Sequence, residues 1–364
     1  MKLSTIALKW QRSKINTYVK GSRNFDGFLR LDIGEPWFPL SERLQQTIKS
    51  WSVADFKKRP DIHCARLKKA AANFWKVSVD NIAVANGSDQ FIWLLPRIFM
   101  NPRDIAVVMN PTFFLFAESV IRAGGRVLSF ATPSENKFEV SDQLITDVIN
   151  SVRKNNAKII WLCNPNNPTG TVISLNNIKR IVVETNALVI VDEAFFDIST
   201  IPPHESAISL LNTNSNVVVL KTLSKTFGLS NVRVGFALSN KALISTLNDW
   251  RLPFEVSHIA QEIATEILDD KTHWKKMKTF VLREKNWLIK QIKTIKHIEL
   301  ASPSTTTILL LRHNNKNLHN LLIKENILTA NFNHCNGIEN QRFVRITIQK
   351  RSENEKLVDA LKKL

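Results

Sequence analysis

Four short stretches carry side chains that could do chemistry, and each follows an apolar run. Lys225 is the potential nucleophile. It lies in Lys221-Thr222-Leu223-Ser224-Lys225-Thr226-Phe227-Gly228, with Arg233 eight residues beyond it. Hydroxyls and cations grouped this way suit a phosphate, and a lysine among them can attack a carbonyl. Asp192 and Glu193 end the run Leu188–Val191. A carboxylate closing a buried strand is costly unless a cation neutralises it, so Asp192 calls for one nearby. Asn86-Gly87-Ser88-Asp89 follows Ile82–Ala85 and opens a helical pattern. Free N–H groups and the helix dipole make such a start an anion site, although Ser and Asp also cap helices with no ligand. Asn164-Pro165-Asn166-Asn167-Pro168-Thr169-Gly170 follows Ile159–Cys163 and on its own reads as ordinary turn chemistry.

The elements that must position these groups are legible from periodicity. Ile82–Ala85, Ile105–Met109, Arg126–Phe130, Ile159–Cys163, Leu188–Val191 and Val217–Leu220 read as buried strands. Helix-length segments alternate with them, at Asp89–Phe99, Phe114–Ala123, Ser141–Asn150 and Leu175–Glu184. That alternation implies an α/β fold with a mostly parallel central sheet flanked by helices. Ligands in such sheets collect at the carboxyl ends of the strands, where the four stretches lie. The last third changes character. Trp274–Ile295 reads as a long amphipathic helix, followed by a strand at Thr306–Leu311, a helix at Leu318–Glu325, a strand at Phe343–Ile348 and a closing helix. Ser352 and Glu355 suggest a capping box for that last helix. The expected division is a large domain over 41–250 and a smaller α+β domain formed by 1–40 and 251–364.

Composition bounds the rest. The chain has 364 residues, 44% of them hydrophobic and 23% charged, which suits a folded domain pair. No apolar run is long enough to cross a bilayer, and the start lacks the pattern of a secretory signal, so no membrane role is expected. The net charge of +18 comes from scattered basic residues with no solid block, which reads as a solvated surface rather than a nucleic-acid site. The three cysteines, Cys64, Cys163 and Cys335, are far apart, and the histidines show no paired ligand spacing. A reducing cytoplasm, with no disulfide framework and no metal, is the expectation.

Taken in order, the motifs NPNNPTG, VDEAF, TLSKTFGLSNVRVGF and FVRITI resemble those of the class I/II aminotransferases, the fold-type I group of pyridoxal 5′-phosphate enzymes. The likeness runs from about Leu31 to the C-terminus. It is greatest to the branch that holds histidinol-phosphate aminotransferase and threonine-phosphate decarboxylase. The resemblance implies the cofactor and a role for each residue. Lys225 matches the Schiff-base lysine, and Asp192 the carboxylate that keeps the pyridine nitrogen protonated. Asn167 matches the donor to the ring hydroxyl, Phe113 the aromatic stacked on the ring, and Ala194 the small residue against its other face. Ser88, Asp89, Thr222, Ser224 and Arg233 match the phosphate cup. Arg345 matches the arginine that grips a substrate carboxylate, and Gly34 belongs to the substrate-side loop. Family members are homodimers with the active site at the interface, so a homodimer is expected.

The chain departs from the pattern in places. Phe195 stands where most of these aminotransferases have a Tyr that hydrogen-bonds the ring oxygen; the decarboxylase branch often has Phe there. Arg59 stands before Pro60-Asp61 in place of a Tyr that reaches the neighbouring subunit's cofactor phosphate, and it either serves that phosphate or faces water. The histidinol-phosphate enzymes carry an Arg after an Ile-rich strand to hold substrate phosphate, whereas Ile327-Leu328-Thr329-Ala330-Asn331 has none. The His-Gly-Gly motif of the decarboxylases is missing as well. Gly34-Glu35-Pro36 is similar instead to the loop of general aminotransferases.

The leading expectation is transfer of an amino group between an amino acid, phosphorylated or not, and a 2-oxo acid. Decarboxylation of a phosphorylated amino acid is the alternative. A catalytically degenerate binding protein is a third reading, against which Lys225 and Asp192 speak. A regulator with an added DNA-binding domain is not expected, because family-like sequence begins near Leu31.

Overall fold

The computed structural model describes residues 4–5, 26–332, 335, 337–338 and 342–364. A short strand β1 (Leu29–Arg30) comes first among the strands. Seven strands then build the main sheet: β2 (Ile82–Ala85), β3 (Ile105–Asn110), β4 (Arg126–Ala131), β5 (Ile159–Cys163), β6 (Leu188–Asp192), β7 (Val217–Thr222) and β8 (Gly235–Leu238). Their spatial order is β2-β8-β7-β6-β5-β3-β4. Only β8 runs against its neighbours, being antiparallel to both β2 and β7. The mostly parallel sheet expected from the sequence is therefore present, with one reversed strand that the alternation did not reveal.

Because side chains alternate across a strand, each of these apolar runs feeds two cores. Val107, Ile160, Leu162, Val189, Val191, Val217 and Val219 face one side, with helices Ala65–Trp75, Asp142–Asn155, Leu175–Glu184 and His258–Asp269. Ala106, Val108, Ile159, Trp161, Ile190, Val218 and Leu220 face the other, with helices Ser88–Phe99, Leu115–Arg122 and Lys241–Trp250. On that second face Phe116 stacks on Trp161 with ring centroids 4.7 Å apart. Full burial of such a side chain contributes about 1.5–3 kcal/mol.

The remaining strands are β9 (Ile298–Leu300), β10 (Ile308–His313), β11 (Ile327–Leu328), β12 (Ala330–Asn331) and β13 (Phe343–Thr347). Four of them form an antiparallel sheet in the order β12-β13-β10-β9, and β1 pairs with β11 in parallel. Leu31 joins a core with Leu288, Ile292, Leu309, Leu311, Val344 and Ile346, so the chain on either side of the main sheet packs together.

Two details of the C-terminal third differ from expectation. The long helix runs Lys271–Ile292, burying Met277, Val281, Leu288 and Ile292, and it ends before Ile295. The closing helix is Arg351–Lys362, with Lys350 at the N-cap, no side-chain cap, and Ser352 inside the first turn. Asn354 does the work expected of a capping box: its Oδ1 accepts from Gln349 N at 3.1 Å and its Nδ2 donates to Gln349 O at 2.7 Å. Asn354 is fully buried, and that burial selects it over the exposed Ser352.

Candidate active site

Alternation across the strands decides what meets at their carboxyl ends. Cys163, Asp192 and Thr222 continue the face of Trp161, Ile190 and Leu220, whereas Glu193 and Lys221 continue the opposite face. Cys163 and Asp192 are direct partners across β5 and β6. On the first face a cavity of about 450 Å³ opens beyond the core. Its walls include Ser88, Asp89, Phe113, Asn167, Asp192, Ala194, Thr222, Ser224, Lys225, Arg233 and Arg345, all eleven of which the sequence singled out. Gly34 lies against it: a Cβ there would come within 3.5 Å of Arg345 and Phe195 and 3.6 Å of Lys225. Its φ of +74° is the left-handed conformation that glycine adopts without strain.

Asp192 is buried on the cavity floor, where Ala194 N donates to its Oδ1 at 3.1 Å. Among the described residues no lysine, arginine or histidine lies within 4.0 Å of it as an ion-pair partner. Burial pushes its carboxyl up to about 7, a rise that the Ala194 bond opposes and the Asp89 and Glu193 charges add to. Lys221, the nearby buried cation, is committed elsewhere. Its Nζ is 2.7 Å from Glu193 and 3.1 Å from Asp197, over the ring of Phe196.

Opposite this carboxylate lies a cluster able to hold an anion. Gly87, at φ +81°, caps the helix Ser88–Phe99 without a side-chain bond, so the first N–H groups are not capped. Arg233, itself at φ +53°, donates to Ser230 O at 3.0 Å and stands 3.6 Å from Asp89. Burial raises the Asp89 carboxyl, while Arg233 and Lys225 pull it back. Thr222 Oγ1 accepts from Ser224 N at 3.2 Å, which fixes the short turn that presents Lys225.

Lys225 Nζ donates to Ile33 O at 2.8 Å and to Glu35 Oε1 at 3.0 Å. Burial lowers its amine below the ordinary lysine range, against the raising effect of Glu35. Arg345 sits in the middle of the fully buried strand β13, a costly place for a guanidinium without partners. It donates to Asn167 Oδ1 at 2.8 Å and to the Asp32 carbonyl. With Oδ1 taken by Arg345, the Asn167 amide has its NH₂ left to donate.

The arrangement fits a flat ring with a protonated nitrogen at one end, a phosphate at the other and a carbonyl toward Lys225. Asp192 has the burial and the missing cation, Arg233 and the Ser88 helix start have the positive field, and Phe113 and Ala194 have the apolar faces.

Several residues outside this set also line the cavity: Arg30, Asp32, Ile33, Glu35 and Cys163. Cys163 had a usable signal, since it ends a buried strand in register with Asp192. Arg30 and Asp32 form a bidentate pair at 2.8 and 2.9 Å, and nothing in their local pattern announces the cavity. Arg59 does not line this chain's own cavity. It is exposed, with its guanidinium 4.6 Å above the ring of Phe254. Ala330 lies directly opposite Arg345 across β12 and β13, so the position without an arginine is on the substrate side. Among the described residues there is no group of acidic, His or Cys side chains fit to hold a metal, and no helix long and apolar enough to cross a membrane.

The fold is that of the fold-type I pyridoxal-phosphate enzymes, and the buried carboxylate, the candidate anion cradle and the lysine meet at its strand ends. The family model for class I and II aminotransferases matches residues 26–361, and the chain belongs to that family. It is a pyridoxal-phosphate-dependent aminotransferase. It is 30% identical over 356 residues to histidinol-phosphate aminotransferase of Thermoanaerobacter pseudethanolicus, covering 95% of this chain and 97% of that one. Among solved structures it is similar to histidinol-phosphate aminotransferase of Sinorhizobium meliloti in complex with pyridoxal-5′-phosphate, with TM-score 0.81, 21% identity, and 92% and 89% of the two chains covered. It is also similar to L-threonine-O-3-phosphate decarboxylase of Porphyromonas gingivalis, with TM-score 0.77, 20% identity, and 92% and 98% covered.

Proposed function

We propose that the enzyme moves an amino group between a phosphorylated or otherwise anionic amino substrate and a 2-oxo acid. The observation that carries this reading is the meeting of Lys225, Asp192, Asn167, Arg233 and Arg345 around one cavity of about 450 Å³. When bound, the cofactor supplies an electron sink for the substrate carbon that loses its proton. Lys225 would hold the cofactor covalently, and its Nζ is placed to take the proton from the substrate Cα. Asp192 would hold a proton on the ring nitrogen. Asn167 would donate to the ring oxygen without help from a hydroxyl at position 195. Phe113 and Ala194 would confine the ring, and Ser88, Asp89, Thr222, Ser224 and Arg233 would form the phosphate cup.

Arg345 orients a substrate anion near the ring. Arg30 is a further guanidinium on the cavity wall, but its bidentate pair with Asp32 already neutralises it. Histidinol phosphate, the substrate named for the relatives at 30% identity, is the first donor to test. Ala330 sets the difference, because the arginine expected there is absent. The chain divides, on this reading, into a large domain at 41–250 and a small one formed by 1–40 and 251–364, except that helix His258–Asp269 packs on the main sheet and goes with the large domain; residues 1–3, 6–25, 333–334, 336 and 339–341 of the small one lie outside the described residues. We take the enzyme to be a cytoplasmic homodimer, in keeping with the family and with cysteines that are all free.

The test is a single turnover. The enzyme is mixed with a panel of amino donors, histidinol phosphate among them, and no acceptor. Conversion of one equivalent of donor to its carbonyl product, with no carbon dioxide, is the expected result. Phe195 favours decarboxylation as the second reading, and release of carbon dioxide with no carbonyl product of transfer would establish it in place of the first.

A further inference from the structure

Glu35 makes a contact for which the chemistry above has no task. Its Oε1 lies 3.0 Å from Lys225 Nζ, and both side chains line the same cavity. The loop that carries it is tied down on both sides. Gln349 Nε2 donates to the Glu35 carbonyl at 2.9 Å, and Arg345 donates to the carbonyl of Asp32. Ile33 O accepts from the same lysine amine at 2.8 Å. The substrate-side loop is thus pinned to the small sheet with one carboxylate aimed at the lysine. The other charges that face this amine are Asp89, from the start of the helix Ser88–Phe99, and Arg345, from β13. Arg233, Asp192 and the Arg30–Asp32 pair complete the charged wall.

We propose that Glu35 is a positioning residue for Lys225, holding the free amine as an ammonium at the cavity wall and so setting the pH at which it loses the proton that must go before it bonds to a carbonyl. The inference rests on the reading of Lys225 as the cofactor lysine. The chemistry balances with water as the proton acceptor. The ammonium gives one proton to water, and the neutral nitrogen adds to the aldehyde carbon. The two remaining amine hydrogens then leave with the carbonyl oxygen as water. Glu35 touches no substrate in this scheme. It sets how much of the amine is neutral at a given pH, and where the amine waits.

The test uses full-length enzyme stripped of cofactor and mixed with pyridoxal 5′-phosphate across a pH series. Covalent attachment is followed by absorbance, trapped with borohydride and located by peptide mapping. In the unaltered enzyme the rate should rise with pH as the ammonium deprotonates. An opposite charge this close holds an amine protonated by about one to three pH units. Glu35→Gln should therefore move the midpoint down by about that much, and attach cofactor about tenfold faster or more below the original midpoint. Glu35→Ala should show the same displacement, and circular dichroism identifies which variant is folded. A midpoint unmoved in a folded variant, with Lys225 still the trapped residue, would overturn the role of Glu35 and leave the lysine assignment standing. Loss of thermal stability with no change of midpoint would overturn it likewise. Trapping on a different lysine in the unaltered enzyme would remove the reading of Lys225 and this inference together.

Discussion

Replacing Asp192 by Asn should have opposite effects on the empty and the loaded enzyme. The carboxyl is buried at the end of β6, with one backbone N–H and, among the described residues, no cation as ion-pair partner. It is held at about 7 in place of the ordinary 3.8. At about 1.4 kcal/mol per pH unit, the ionised form costs the cofactor-free fold roughly 4 kcal/mol. The sign follows from a carboxyl raised on folding. Below the unfolded value both states are protonated and the cost is absent. It grows as pH rises from about 4 to about 7 and is complete above that. Asp192→Asn removes the charge and keeps the shape. Urea unfolding of the cofactor-free proteins should show the variant more stable at pH 8 by up to roughly 4 kcal/mol, with the difference much smaller at pH 5. With cofactor bound, the sign should reverse. The variant loses a charge-assisted bond of about 1.5–3 kcal/mol, a drop in affinity of roughly tenfold to a hundredfold. A variant equally stable with the parent at pH 5 and pH 8, and with unaltered cofactor affinity, would refute the assignment of Asp192.

Two other substitutions probe different parts of the account. Arg345→Lys keeps the charge but loses the planar fork that reaches Asn167 and the Asp32 carbonyl. Steady-state kinetics should show KM for the amino substrate rising roughly tenfold or more, as expected for losing a charged pair worth about 1.5–3 kcal/mol. Lys221→Ala leaves Glu193 and Asp197 without their buried cation and should destabilise the fold by about 3–5 kcal/mol in urea unfolding.

The parts of the site legible in the sequence are those written locally. Asp192 and Lys225 follow apolar runs that end where the sheet ends, and Arg233 lies within the same loop as Lys225. Periodicity places β2 through β7, but only β2, β3, β5, β6 and β7 are buried runs; β4, expected to be buried, is an edge strand whose residues are all at least partly exposed, because among the described residues nothing pairs with its outer side. Periodicity missed β8, whose four residues Gly235–Leu238 were too short to stand apart from the motif before them. The contacts that escaped are made across long separations. Glu35 reaches Lys225 across 190 positions, and Arg345 is held by a backbone carbonyl 313 positions away. No spacing rule encodes such pairs, since they arise only when β1 joins β11 and carries the loop into the cavity. The closing helix teaches a similar lesson. Ser352 and Glu355 satisfied the pattern of a capping box, but a buried Asn354 bonded to Gln349 decided the turn.

The central claim is that Lys225 carries the cofactor. It is tested most directly by loading the enzyme with pyridoxal 5′-phosphate, reducing it with borohydride and mapping the modified peptide. The expected result is a single modified lysine, Lys225, with no covalent label and an activity loss of roughly 10²–10⁴-fold or more in folded Lys225→Ala. A label on another lysine, or full activity in the alanine variant, would contradict it.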